Sequence, residues 1–206
     1  MNETIRTIKA RFSCRNFSAR TVDEVLLRQL IEAAKYAPSG KNCQPWHFTV
    51  IQSEEGKKLL YDAAGKTPPE DFPQGKLITP PGMKETLMKW PFQGDFCGAP
   101  VVILISGRPD VPWPDVGPVL AAENLMIAAA SLGLSTLWST TFTKGLFRDA
   151  ESLALKPKLI PEGFDVKAAI FVGYPERIPE SRPVSYTHLS TKRSTWLSPI
   201  PLFLKA

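Results

Sequence analysis

Two prolines, Pro38 and Pro45, divide the early part of this chain into a helix that must stop and a strand that must start. Pro38 removes a backbone donor and disfavours helix in the residue before it, so the helix ends there. Between the prolines, Ser39-Gly40-Lys41-Asn42-Cys43-Gln44 offers small polar groups on a backbone that can approach a ligand closely. Gln44-Pro45 restarts the chain in an extended direction into Trp46–Gln52. The residues alone leave two readings open, a helix-to-strand turn or a ligand-facing loop.

The flanking patterns are distinct. Thr21-Val22-Asp23-Glu24 reads as a capping box, with Thr21 as the N-cap. Leu26, Leu27, Leu30, Ile31, Ala34 and Ala37 follow at helical spacing. After the loop, Trp46, Phe48 and Val50 alternate with His47, Thr49 and Ile51, which predicts a strand with Trp46, Phe48 and Val50 on the better-buried face. His47 then points outward as a surface or interface residue. Upstream, a short helix over Glu3–Ala10 leads into Arg11-Phe12-Ser13-Cys14-Arg15-Asn16-Phe17. In an extended segment Arg11, Ser13 and Arg15 project to one side. Two guanidiniums flanking a hydroxyl make either a phosphate clamp or a solvated basic edge.

Further along, Ser53-Glu54-Glu55 opens a helix to about Ala64. The stretch 66–118 holds eleven of the chain's 20 prolines together with Phe72, Trp90, Phe92, Phe96 and Trp113. It is too broken for long elements and too aromatic for a linker, and reads as an ordered excursion or lid around a strand at Val101–Ser106. Trp90 and Trp113 either stack on a substrate or fill the core of that excursion. Asp115 caps a helix from Gly117 to about Leu132, apolar nearly all round and so placed centrally, ending at Gly133. Leu134–Trp138 is a short buried strand, Thr143–Leu153 a helix with Leu146 and Phe147 inward, and Ala168–Val172 the last core strand.

Composition narrows the function. At 206 residues, 43% hydrophobic and 22% charged, the chain fits one globular domain. No run of about 18 apolar residues and no signal peptide occurs, which points to a cytoplasmic protein without membrane or targeting segments. Cys14, Cys43 and Cys97 lack C-x-x-C spacing, and only His47 and His188 are present, so a zinc site, an iron–sulfur cluster or a disulfide framework is not expected. Cys14 and Cys43 read as small packing residues rather than redox groups. The net charge of +5 is dispersed; it does not imply nucleic acid but suits an anionic small molecule.

Five ordered motifs together resemble the nitroreductase family of FMN-dependent oxidoreductases over about residues 3–183. They are Arg11–Phe17, Ala37–Phe48, Asp115-Val116-Gly117 with Ala122–Leu125, Gly133–Trp138, and Val172-Gly173-Tyr174-Pro175. The resemblance implies an α+β fold, a three-layer α/β/α sandwich around a mostly antiparallel sheet. It also implies an intertwined homodimer with flavins at the interface. Position by position, it assigns Arg11, Phe12, Ser13 and Arg15 to the FMN phosphate, ribityl chain and pyrimidine edge. Pro38, Ser39, Gly40 and Asn42 would reach the flavin of the other subunit. Trp138, Ser139, Thr140 and Thr141 would lay backbone N–H groups beside its N5 and O4 edge, and Arg182 would bind phosphate.

The activity implied is ping-pong transfer of hydride from NADH or NADPH through the flavin to an electron-poor small-molecule acceptor such as a nitroaromatic or quinone. The alternatives are a reductive dehalogenase or flavin-processing enzyme on the same fold, or a flavin-binding protein without turnover. No Rossmann glycine pattern is present, so nicotinamide would bind transiently over the flavin, and no side chain is assigned as general acid or base. Glu180 and Ser181 stand where the family often has a basic residue. Residues 184–206 depart from the family pattern and read as an atypical tail, a candidate for non-native sequence.

Overall fold

The computed structural model describes residues 2–64 and 96–179. Arg182, Trp90, the tail and most of the proline-rich excursion lie outside the described residues.

The Asn2 side chain caps α1 (Glu3–Ala10), accepting from Thr4 N–H at 2.8 Å. Helix α2 (Glu24–Lys35) is capped by Asp23, which accepts from Val25 N–H at 2.8 Å. The predicted Thr21 cap is therefore corrected by two residues: a carboxylate one position before the helix competes successfully with the hydroxyl farther out. Strand β1 (Trp46–Ile51) and helix α3 (Glu54–Ala63), capped by Ser53, follow. Next come β2 (Val101–Gly107), α4 (Val116–Ser131) and β3 (Ser135–Trp138). Asp115 occupies the position before α4 without capping it; its carboxylate instead pairs with Lys167 Nζ at 2.7 Å.

The expected helix over Thr143–Leu153 is instead split between two short pieces, α5 (Thr140–Gly145) and α6 (Ala150–Leu153), with a further one, α7 (Lys156–Leu159), beyond it. The break comes from a partner distant in sequence. Phe147 sits at φ 60°, and its N–H leaves the helix ladder to donate to Ala63 O at 2.9 Å. Strand β4 (Asp165–Gly173) completes the sheet.

Strand order is β1-β2-β4-β3, and every pairing between these strands is antiparallel. Period-two alternation divides the sheet's side chains between two cores. On one face, Val101, Ile103, Ile105, Ile170 and Val172 pack with Leu27, Leu30 and Ala34 of α2 and with Ala121, Ala122, Leu125 and Ala129 of α4. On the other, Val102, Leu104, Ala169 and Phe171 pack with Leu60 of α3, Phe142 of α5 and Leu159 of α7. These are the three layers of an α/β/α sandwich. Phe96, Phe142 and Phe171 meet edge to face with centroids 5.4–5.9 Å apart, tying the second layer together.

β2 is buried along its whole length because β1 and β4 flank it. β1 is an edge strand, which revises its expected pattern: Val50 is exposed, Ile51 is buried in the second core, and Trp46 and Phe48 are only half-buried against the first. His47 is half-buried too, its ring edge-on to Phe164 at 5.9 Å. Helix α4 buries Gly117, Pro118, Ala121, Ala122 and Ala129 yet exposes Val116, Val119 and Leu120, so its apolar girth is only partly used within one chain. Where β4 ends, Gly173 is hemmed in: a Cβ there would lie 2.6 Å from Pro100 Cδ and 3.0 Å from Phe17 Cδ1.

Candidate active site

The Arg11–Phe17 segment runs beside β3 as an added outer row of the sheet. Ser13 bridges Thr136 in parallel, and Cys14 N–H donates to Thr136 O at 2.9 Å. Alternation sorts the side chains as far as Arg15, where the chain bends and the parity changes. Cys14 and Phe17 are buried and Phe12 packs against the second core, while Ser13 and Arg15 are exposed and Arg11 is half-buried. Cys14 Sγ donates to Asn16 O at 3.2 Å, and burial pushes its thiol pKa up, so it is a packing residue and not a nucleophile. Arg15 bends back until Nη1 lies 3.5 Å from Ser13 O.

Because the bridge is parallel, Arg15 lies toward the far end of β3, where Trp138 leads into Ser139, Thr140 and Thr141. Ser139 N–H donates to Ala169 O at 3.0 Å, and Ser139 Oγ accepts from Phe142 N–H at 3.4 Å as the N-cap of α5. The expected loop is thus a strand end turning into a helical turn. Arg11, Phe12, Ser13 and Arg15 share one sheet edge with Trp138–Thr141.

Pro38–Asn42 lies elsewhere. Ser39 Oγ accepts from Gln44 N–H at 2.9 Å, and Gln44 Nε2 donates to Asn42 Oδ1 at 3.1 Å. Lys41, Asn42 and Gln44 all have φ near +50°, a left-handed run without glycine. Gly40 itself is needed for space, since a Cβ there would come 2.9 Å from Trp113 Cε3. Cys43 is exposed. Asn42 N–H donates to Ser39 O at 2.9 Å and Arg108 N–H to Pro45 O at 3.0 Å, so the loop is ordered despite its dihedrals.

Sheet register measures the separation. Trp138 pairs with Ile170, Ile170 with Ile103, and Ile103 with Val50, whereas Trp46 lies opposite Gly107. Three interstrand steps and four residues along β1 put Trp46 about 20 Å from Trp138. The Pro38–Asn42 loop precedes Trp46, and Arg11–Arg15 lies one row beyond β3. Within one chain the two groups occupy opposite corners of the sheet.

Sequence reasoning missed Thr136. Its Oγ1 is buried without a hydrogen-bond partner among the described residues, and with Arg11, Phe12 and Ser135 it lines a cavity of about 130 Å³ under the added row. The only sequence signal was its place two residues before Trp138, and nothing there announces a pairing with Ser13.

Comparison with known proteins agrees with this architecture. The sequence pattern described as Nitroreductase family matches residues 8–174. The chain is 28% identical over 177 residues to a protein of Archaeoglobus fulgidus provisionally named NADH dehydrogenase/NAD(P)H nitroreductase, covering 85% of this chain and 87% of that one. It is also 28% identical over 149 residues to an iodotyrosine deiodinase of Thermotoga neapolitana, covering 71% and 74%. Among solved structures, a nitroreductase with bound FMN from Bacteroides fragilis superposes with a TM-score of 0.72 at 26% identity, covering 92% of this chain and 98% of that one. An antiparallel α/β/α sandwich with a basic extended segment on its outer row defines the class, and the chain belongs to the nitroreductase family.

Proposed function

We propose that the protein works as a cytoplasmic homodimer whose FMN sites are each assembled from two chains. One chain contributes Arg11, Phe12, Ser13, Arg15, Trp138, Ser139, Thr140 and Thr141, and Arg182 beyond the described residues. Its partner contributes the Pro38–Asn42 loop, with Gly40. The enzyme class is that of an FMN-dependent NAD(P)H oxidoreductase. Bound FMN supplies hydride exchange between NADH or NADPH and an electron-poor acceptor such as a nitroaromatic or a quinone.

The residues present fit that group. Guanidiniums at Arg11 and Arg15 match phosphate oxygens bidentately and favour negative charge at a heterocycle edge, and the Ser13 hydroxyl suits a polyol. Ser139 N–H is taken by Ala169 O, and Thr140, in the first turn of α5, has an N–H of the kind that receives a carbonyl or ring nitrogen. The chain's own contribution is binding, orientation and electrostatics. Similarity to the deiodinase favours reductive dehalogenation of an aryl halide as the second reading.

One observation carries the two-chain site: the two candidate groups sit at opposite corners of one chain's sheet. No rotation of side chains closes about 20 Å, which supports a site that takes its second half from another copy of the chain. The test is a hybrid dimer from co-expression of differently tagged chains, one carrying Arg11→Ala and the other Ser39→Ala with Asn42→Gly. The Arg11→Ala homodimer should bind FMN about 10- to 150-fold more weakly than the parent, the worth of a lost charged hydrogen bond, and the Ser39→Ala, Asn42→Gly homodimer about 5- to 150-fold, the worth of two neutral ones. The hybrid, by two-fold symmetry, has one intact site and should recover about half the tight-binding capacity. Hybrids as weak as either homodimer, or a fully flavin-loaded monomer, would overturn the reading.

A further inference from the structure

The loop between β2 and α4 carries Trp113, an indole that neither core takes up. It is 66% exposed, although one edge of its ring lies against the backbone of Gly40. Its backbone is at φ 53°, a region that a bulky aromatic side chain enters only at a cost in strain. Glycine or asparagine would suit that dihedral, and neither would leave an apolar ring in water. Two unfavourable features at one residue need a compensating use of the side chain.

The surroundings hold the ring in place. Arg108 N–H donates to Pro45 O at 3.0 Å, and Arg108 pairs with Asp110 (2.9 Å), whose carboxyl is held below its ordinary pKa by that bond. At the other end Asp115 pairs with Lys167, and Val116 N–H donates to Trp113 O at 3.1 Å. The loop is therefore tied to β1, β4 and the start of α4. Gly40, lacking a Cβ, allows the indole to lie directly on the Pro38–Asn42 loop.

We infer that Trp113 is a specificity-determining residue, an aromatic wall against which planar, electron-poor acceptors stack. The inference rests on the reading of Pro38–Asn42 as the loop that faces the partner's flavin, since Trp113 overlies that loop and turns its free surface outward. Indole is the most electron-rich of the natural side-chain rings, and a nitroarene, quinone or halogenated arene is electron-poor and flat. Offset stacking between them is favourable beyond the area buried. An acceptor that cannot stack gains nothing from the wall.

The experiment uses the flavin-loaded protein and compares Trp113→Asn with Trp113→Phe. Asparagine tolerates the left-handed dihedral, so it removes the ring without adding strain, and phenylalanine keeps a ring. The readout is the ratio of kcat/KM for a nitroarene to that for ferricyanide, an inorganic acceptor that takes electrons without stacking. The ratio should fall about 2- to 13-fold in Trp113→Asn, through KM for the nitroarene, and return most of the way in Trp113→Phe. A ratio unchanged in Trp113→Asn overturns the inference. So does a Trp113→Asn protein that loses dimer and flavin together on sizing chromatography, which would make the indole an interface anchor. A parent that binds no FMN or oxidises no NAD(P)H would instead bring down the functional reading beneath it.

Discussion

Beside β3, the Arg11–Arg15 segment takes up the sheet's outer hydrogen-bonding row; beside β1, no described strand does. The first edge is closed by a main-chain bond from Cys14 and by Phe12, Cys14 and Phe17 packed in the second core. The second is left open. Val50 is exposed, an open groove of about 850 Å³ runs between α2 and β1, and the preceding loop stores three left-handed residues that are not glycine. An unpaired strand edge with apolar side chains invites a second chain. One edge is closed within the chain, and the other is open among the described residues. On the proposed function, a site made from one edge of each kind would exist only in the assembled dimer.

The strongest way to break this contrast is to reopen the closed edge. Cys14→Pro removes the donor to Thr136 O, leaves that carbonyl unpaired and costs about 2 kcal/mol, which a urea melt reads directly. An unchanged midpoint would mean that side-chain packing alone seals the row. A smaller effect of opposite sign is expected at the open edge. Lys41, at φ 52° and ψ 24°, pays for a left-handed conformation, so Lys41→Gly should stabilise the chain by up to about 1 kcal/mol. If it destabilises instead, the loop's dihedrals are not strained.

The smallest effect separates the two edges by thiol chemistry. Exposed Cys43 should react with a maleimide at neutral pH, while buried Cys14 should react only on unfolding. Because burial raises the folded Cys14 pKa above its ordinary 9.0, the unfolded chain ionises first. Stability from this group is full below pH 9 and falls as pH climbs above it. Fast labelling of Cys14 in the folded protein would show that the closed edge opens readily.

Local signals were the most legible in the sequence. Pro38 stops α2, Ser53 caps α3, and alternation through Arg11, Ser13 and Arg15 predicted an extended segment, which fits exposed Ser13 and Arg15 around buried Cys14 but not Phe17, buried beyond a bend at Arg15. Features fixed by distant partners were not. Phe147 breaks the expected helix because its N–H finds Ala63 O, eighty-four positions back in the chain. Val50 and Ile51 exchange their expected roles because β1 lies at an edge, and edge position is a property of strand order. For the candidate site, residue types were readable from motifs. The separation of Pro38–Asn42 from Arg11–Arg15 needed the β1-β2-β4-β3 order, and Thr136 needed its pairing with Ser13.

Gly173 sets a boundary on how such a protein can change over evolutionary time. Its constraint is space alone: any side chain there would strike Pro100 and Phe17 at once, and Phe17 is the end of the segment that carries Arg11, Ser13 and Arg15. Variation at this position is therefore closed off as long as the Arg11–Phe17 row is kept against β3. Trp113 stands on an exposed loop whose tethers are made by other residues, so it can be exchanged without disturbing either core. On the assignments proposed above, a lineage adapting to a new acceptor would be free to sample position 113 while the Arg11–Arg15 row stays fixed, with innovation and inheritance on opposite edges of the same sheet.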